Sequence, residues 1–155
     1  MIATERLDLR EFTIPSATAV VSGAPADPAW APGFPREDDA DAAGAWLGAP
    51  QAEYGSWFIT VRDTGLVVGT IGFFGPPSAD GEVMVGYGLV ESARLHGYAT
   101  EALRALVAYA MARPEVRRVV ADPDLDNAAS HNVLVKAGFT PAHATDTSQW
   151  FALTR

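Results

Sequence analysis

The spacing of apolar and polar residues changes several times along the chain, and each change marks an element. From Thr4 to Phe12, Leu7 and Leu9 fall on one side and Asp8 and Arg10 on the other, the two-residue period of a half-buried strand. Pro, Gly and Ala crowd the stretch from Pro15 to Pro50, which reads as loop with one or two short helices. Arg36 to Leu47, acidic first and apolar later, is one of them. Trp57 to Val61 (WFITV) is β-branched and aromatic, hence a strand. Asp63-Thr64-Gly65 turns the chain, and Leu66 to Phe74 (LVVGTIGFF) returns as a partner strand apolar on both faces. After a second turn, Pro76 to Gly81, Val83 to Val90 is a further strand. Its Gly86 and Gly88 predict a bulge or a close backbone approach.

From Gly97 the period becomes helical, with Ala99, Ala102, Leu103, Leu106, Val107 and Ala110 on one face and Pro114 as the stop. Arg118 to Ala121 is a short strand. Asn127 to Ala137 is a second amphipathic helix with Val133, Leu134 and Ala137 inward, closed by Gly138. Phe139 to Pro141 and Gln149 to Thr154 form a last pair of strands. The order predicts one α/β (α+β) domain over residues 1–155, a mixed, mostly antiparallel twisted sheet with helices on both faces.

Composition narrows the functional classes. With 48% apolar residues the chain has enough for a core, and no run approaches the roughly 18 that a membrane span needs. MIATERLDLR has no apolar region of the kind found in secretory leaders. The absence of cysteine excludes disulfides, thiolate metal sites and a cysteine nucleophile, and it is consistent with a cytoplasmic location. His96, His131 and His143 form no metal-ligand spacing with carboxylates, so no metal is expected. The formal charge of -8 and the lack of a basic stripe argue against nucleic acid; Arg113, Arg117 and Arg118 are the densest basic group. An acidic surface suits a cationic partner, or solubility alone.

The chemistry is concentrated between Gly86 and Ala102, GYGLVESARLHGYATEA. A strand leads through Glu91–His96 into a long helix, whose first N–H groups have no partner within it and face a positive dipole end. Such an end binds a pyrophosphate without lysines. Gly97 allows close approach, Ala99 is nearly as small, Thr100 adds a hydroxyl and Arg94 a charge. The loop lacks the Gly-Lys-Ser/Thr ending of a Walker loop and the three spaced glycines of a dinucleotide fold.

Arg94-Leu95-His96-Gly97-Tyr98-Ala99 resembles the Arg/Gln-x-x-Gly-x-Gly/Ala signature of the GNAT N-acetyltransferases. Its extension through Ala102 is similar to the branch that includes the ribosomal-protein alanine N-acetyltransferases. Asn127 to Ser130 with Lys136 to Phe139, and Thr4 to Arg10, resemble the second motif and opening strand of that branch. The resemblance implies a splay between the Val83–Val90 and Arg118–Ala121 strands. An acetyl-CoA cosubstrate would pair there with the backbone of Leu89 and Val90. Its pyrophosphate would rest on Leu95, His96, Gly97, Tyr98, Ala99 and Thr100 beside Arg94, and Asn127 and Ser130 would lie near its arm. It further implies acetyl transfer to a primary amine, whether a small molecule or a peptide N-terminus, by direct attack on the thioester.

Asn127 also reads as a helix N-cap, and Ser130 as either the donor to the departing thiolate or a helix-start hydrogen bonder. Many relatives carry Glu where this chain has Met84. Glu82, two residues earlier on the same strand face, is a base acting through water or a solvated strand end. Trp30, Phe34, Trp46 and Phe74 line an acceptor pocket or fill the core, and Asp38, Asp39 and Asp41 attract a cation or serve as first-turn acids. That pocket is expected from the Pro15–Pro50 region, the Phe73–Gly81 turn and the Ala142–Gln149 loop. Two further readings stand beside transfer to an amine: a non-catalytic acyl-CoA-binding module, and transfer of a longer acyl chain. An exposed sheet edge allows a homodimer.

Overall fold

The computed structural model describes residues 1–24 and 26–155; Pro25, within the loop-rich stretch, lies outside the described residues. The elements are β1 (Ile2–Ala3), β2 (Leu7–Glu11), α1 (Ile14–Ser22), α2 (Glu37–Gly48), β3 (Ser56–Val61), β4 (Leu66–Phe73), β5 (Glu82–Leu89), α3 (Tyr98–Met111), β6 (Arg118–Ala121), α4 (Ala128–Lys136), β7 (Thr140–Ala144) and β8 (Gln149–Thr154). Between β5 and α3 lies a single 3-10 turn, Glu91–Ala93. Among these, α1 starts as its sequence allows. Thr13 caps it by accepting from Ser16 N, Pro15 sits in the first turn, and Gly23 ends it at φ +68°.

The strands form one 8-stranded sheet in the order β1-β2-β3-β4-β5-β6-β8-β7. All pairs are antiparallel except β5 with β6. Successive side chains on a strand point to opposite faces, and β3 shows what each face meets. Trp57 packs edge-on against Tyr109 of α3, 5.2 Å between centroids, while Phe58 lies 4.4 Å from Phe12, which in turn meets Trp46 of α2. Helices therefore cover both faces. Leu7, Leu9, Ile59, Ile71, Leu103, Leu106 and Leu134 are among the fully buried side chains of a continuous core.

Two details differ from the sequence reading. The irregularity falls between Ile59 and Thr60 of β3, whereas β5 pairs regularly with β4 through both glycines. Close approach is what those glycines serve: an ideal Cβ on Gly86 would lie 2.9 Å from the Phe74 ring, and one on Gly88 would lie 2.3 Å from Arg36 Nη2. The second difference is β7, which runs on to Ala144, so His143 sits in an exposed edge strand rather than a loop. Pro141 and two alanines give that strand little β signal, and edge position is what lets a proline stay in it.

Candidate active site

The loop after β5 leads into a helix start whose first amides have no partner within the helix. Gly97 caps α3 at φ +80°, and the first described backbone bond that closes onto the cap runs from Glu101 N to Gly97 O, 3.0 Å. The amides of Tyr98, Ala99 and Thr100 precede it at the positive end of a 14-residue helix. Leu95 takes φ +66°, unusual for a side chain other than glycine, and is fully exposed. Arg94 turns back to donate from Nε to Leu89 O, 3.3 Å.

Arg6, on the approach to β2, holds this loop from outside. Its Nη1 donates to His96 O at 2.7 Å, its Nε pairs with Glu101 Oε1 at 2.7 Å, and its guanidinium lies 4.7 Å over the Tyr98 ring. Glu101 accepts in addition from Arg6 N (2.8 Å) and from the Thr4 hydroxyl. Burial pushes the Glu101 carboxyl up, but the bonds from Thr4 and Arg6 outweigh it and hold the group below its usual range. An ideal Cβ on Gly97 would lie 3.2 Å from Arg6 Nη2, a tight contact, and the positive φ of the residue already favours glycine there.

Next to the loop the sheet opens. β5 and β6 pair only at Glu82–Arg118, Val83–Val119 and Met84–Val120. Phe74 N donates to Met84 O and Val90 N to Val68 O, so the even-numbered residues of β5 turn their backbone to β4. By alternation Val85, Tyr87 and Leu89 turn theirs to the open side. Two cavities meet there. A groove of about 720 Å³, between α2 and strands β4 and β5, is lined by Asp38, Asp41, Trp46, Phe73 and Phe74 among others. A pocket of about 200 Å³ lies between β5, β6 and α4 and includes Asp122, Asp124, Asn127, Ser130 and Leu134. Phe74, Gly86 and Tyr87 border both.

Residues 6–140 match the family described as the Acetyltransferase (GNAT) domain. This chain is a GNAT-family member. Among curated proteins it is similar to the uncharacterized N-acetyltransferase YjdG of Bacillus subtilis (strain 168), 33% identical over 103 residues, 66% of this chain and 61% of that protein. The chain thus spans less than two thirds of that relative's length. Among solved structures it resembles RimL, a ribosomal L7/L12 alpha-N-protein acetyltransferase in complex with coenzyme A. The TM-score is 0.75 at 21% identity, over 99% of this chain and 97% of that one. AAC(6')-Ib with paromomycin and acetyl-CoA superposes at TM-score 0.72 and 20% identity, covering 97% and 94%.

Against that GNAT frame the residues anticipated from sequence divide. Arg94 to Thr100 lie together at the helix start. Leu89 faces the open side of β5, while Val90 does not: its N–H donates to Val68 O and its carbonyl accepts from Ala93 N, so its N–H is not free for a pantetheine arm. Asn127 caps α4 by accepting from Ser130 N at 3.2 Å and borders the small pocket with Ser130. Glu82 borders neither cavity. It sits at the closed end of the β5–β6 pair, half exposed, with Arg118 Nε 3.5 Å away; parallel pairing at that end keeps it from the opening. His131 is half-buried against Phe151, with Nε2 2.9 Å from Asp124 O, and His143 stacks on Trp150. Trp46 and Phe74 line the groove, whereas Trp30 and Phe34 pack with each other against the core. The Ala142–Gln149 segment takes no part in the groove lining.

The three acids of α2 also part company. Asp38 and Asp41 border the groove, but Asp39 is fully buried. It accepts from Arg36 N (2.9 Å), Nε (3.1 Å) and Nη2 (2.8 Å) and from Thr70 Oγ1 (2.7 Å). Charged groups so buried stay only when paired and fully hydrogen-bonded. Arg6, Arg36, Tyr87, Asp122 and Asp124 were not singled out as site residues from the sequence.

Proposed function

We propose that this chain is an acetyl-CoA-dependent N-acetyltransferase whose acceptor is a primary amine. The observation that carries this reading is a helix start with free amides at the end of a strand that parts from its neighbour, with two cavities meeting across that parting, a pocket beside α4 and a groove beside α2. The helix start suits the pyrophosphate of acetyl-CoA, and the first cavity the thioester end of its arm. Tyr98, Ala99, Thr100 and Arg94 would hold the phosphates, the open-side amide of Leu89 the pantetheine, and Asn127 and Ser130 the arm from α4. When bound, acetyl-CoA supplies the acetyl group as an activated thioester. The second cavity receives the amine: Asp38 and Asp41 draw a cation toward the groove, and Trp46 and Phe74 pack its apolar part. The backbone amides of β5 at the opening would polarise the thioester carbonyl.

RimL is named for acetylation of a protein α-amine and AAC(6')-Ib binds paromomycin, so the same scaffold serves peptide and small-molecule acceptors. A groove of about 720 Å³ open to solvent suits either. The deciding experiment is thiol release from acetyl-CoA across a panel of amines and N-terminal peptides, with Gly97→Trp alongside. Release that depends on one acceptor and is lost in the variant is the expected result. CoA binding without release for any acceptor would leave an acyl-CoA-binding module instead.

A further inference from the structure

We propose that Phe74 sets the size of the acyl group that this chain transfers: its ring bounds the space in which the acyl group meets the amine and restricts it to acetyl. This rests on the N-acetyltransferase reading above and extends it from the amine to the acyl chain.

The backbone puts this side chain in place. β4 ends at Phe73, whose ring packs on the α3 side against Trp57 and Tyr109. By alternation Phe74 projects to the other side. Thr70, four residues earlier on that side, bonds Asp39 of α2 at 2.7 Å. Phe74 N donates to Met84 O at 2.9 Å, which keeps the residue in register with β5. Gly75, at φ +121°, and two prolines then carry the chain away. The ring lies over Gly86: its Cε2 and Cζ are each 2.9 Å from where a Cβ on that glycine would stand. Phe74 thus fills the space above β5 that a side chain at position 86 would otherwise take. It is nevertheless 70% exposed, so core packing does not account for an aromatic at this point.

With the thioester end of the arm in the pocket beside α4 and the amine in the groove beside α2, the acyl carbon falls where the two cavities meet. The residues that border both are Phe74, Gly86 and Tyr87. Gly86 has no side chain. Tyr87 sends its phenol to the opposite face, where the hydroxyl donates to Ser130 O at 3.3 Å. Among the described residues that border both cavities, Phe74 is therefore the one whose side chain bounds the junction on the α2 face. An acetyl group ends one carbon beyond its carbonyl. Each further methylene has to enter the space of the ring or push the ring off Gly86, and either is overpacking at a single point.

The test sets Phe74→Ala and Phe74→Leu against Trp46→Ala in the full chain. The first readout needs no acceptor: the affinities of free CoA, acetyl-CoA, propionyl-CoA and butyryl-CoA by calorimetry. Wild type should bind butyryl-CoA about 10-fold more weakly than acetyl-CoA, and Phe74→Ala should bind the two alike, with free CoA bound equally by both proteins. The second readout is kcat/KM for each acyl-CoA with whichever amine the panel identifies. Wild type should prefer acetyl over butyryl by about 100-fold and Phe74→Ala by less than about 10-fold, with Phe74→Leu between them. Trp46→Ala, in the groove, should change KM for the amine and keep the acyl ratio of wild type. A merely structural role for Phe74 would lower the rates with all three acyl-CoAs alike. Equal use of acetyl-CoA and butyryl-CoA by wild type, or an acyl ratio unmoved in both Phe74 variants, overturns the size limit and leaves the transferase standing. A wild type that binds no CoA overturns the size limit and the transferase reading together. Acyl-dependent affinities that converge in Phe74→Ala, with no turnover on any amine, support Phe74 and sink transfer alone.

Discussion

At Gly88 the space of a side chain is taken by the guanidinium of Arg36, which cannot swing away without stranding the buried carboxylate of Asp39. Gly88→Ala is therefore an overpacking change, expected to lower stability by about 1–3 kcal/mol in urea unfolding. Gly44 is the contrast. It lies exposed in α2 with its nearest foreign atom 3.9 Å from an ideal Cβ, so Gly44→Ala should add up to about 1 kcal/mol. Equal effects at the two positions would show that Arg36 is not fixed over Gly88. In the sequence the glycines of β5 pointed correctly to close approach, because a strand rarely keeps two without cause. What they approach was hidden. Arg36 and Phe74 lie 52 and 12 residues from Gly88 and Gly86, and no local period links such positions. Asp39 shows the same limit: three acids at the head of a helix look alike until packing buries one of them.

Among the elements, those with strong periods were legible to within a residue or two: β3, β4, β5, α3, β6 and α4. Less legible were α1, whose alanines and valines carry little amphipathic signal, and the two-residue β1. The tie between β2 and α3 could not be seen at all. Thr4, Arg6 and Glu101 occur in two separate stretches that the sequence shows only as parts of separate motifs; in the fold they form one latch that fixes the loop before α3. Glu101→Ala should weaken CoA binding about 10-fold by calorimetry while leaving the acceptor groove intact. The latch also has a pH signature. Because the Glu101 carboxyl is held low in the folded protein, its contribution is present above the ordinary carboxylate pKa and is lost as pH falls through the folded value. The stability difference between wild type and Glu101→Gln should thus shrink as pH is lowered from about 5 to about 3. A constant difference would mean the carboxylate is not paired in solution.

For the whole molecule the notable feature is that a continuous sheet order contains a local loss of pairing. Beyond Met84 and Val120, β5 keeps only one hydrogen-bonded neighbour. Hydrogen exchange should report this directly: without ligand, the amides of Tyr87 and Leu89 exchange faster than those of Gly86, Gly88 and Val90, which face β4. CoA should slow Leu89 selectively. Uniform protection along β5 in the absence of ligand would mean that the gap closes in solution. The sequence suggested such an opening only through its family resemblance, since strand pairing that stops partway leaves no mark on hydrophobic spacing.

The order of the strands has a consequence in time. The first five lie side by side in the order in which they are synthesised, so each can pair with its predecessor as soon as it leaves the ribosome. One wall of the opening is complete by Leu89, but the other waits for α3 to cross over and for β6 and α4 to form, and β6 gains its second neighbour only when β8 arrives. The site is thus assembled last, and a nascent chain has most of its sheet well before it has anywhere to put a cosubstrate.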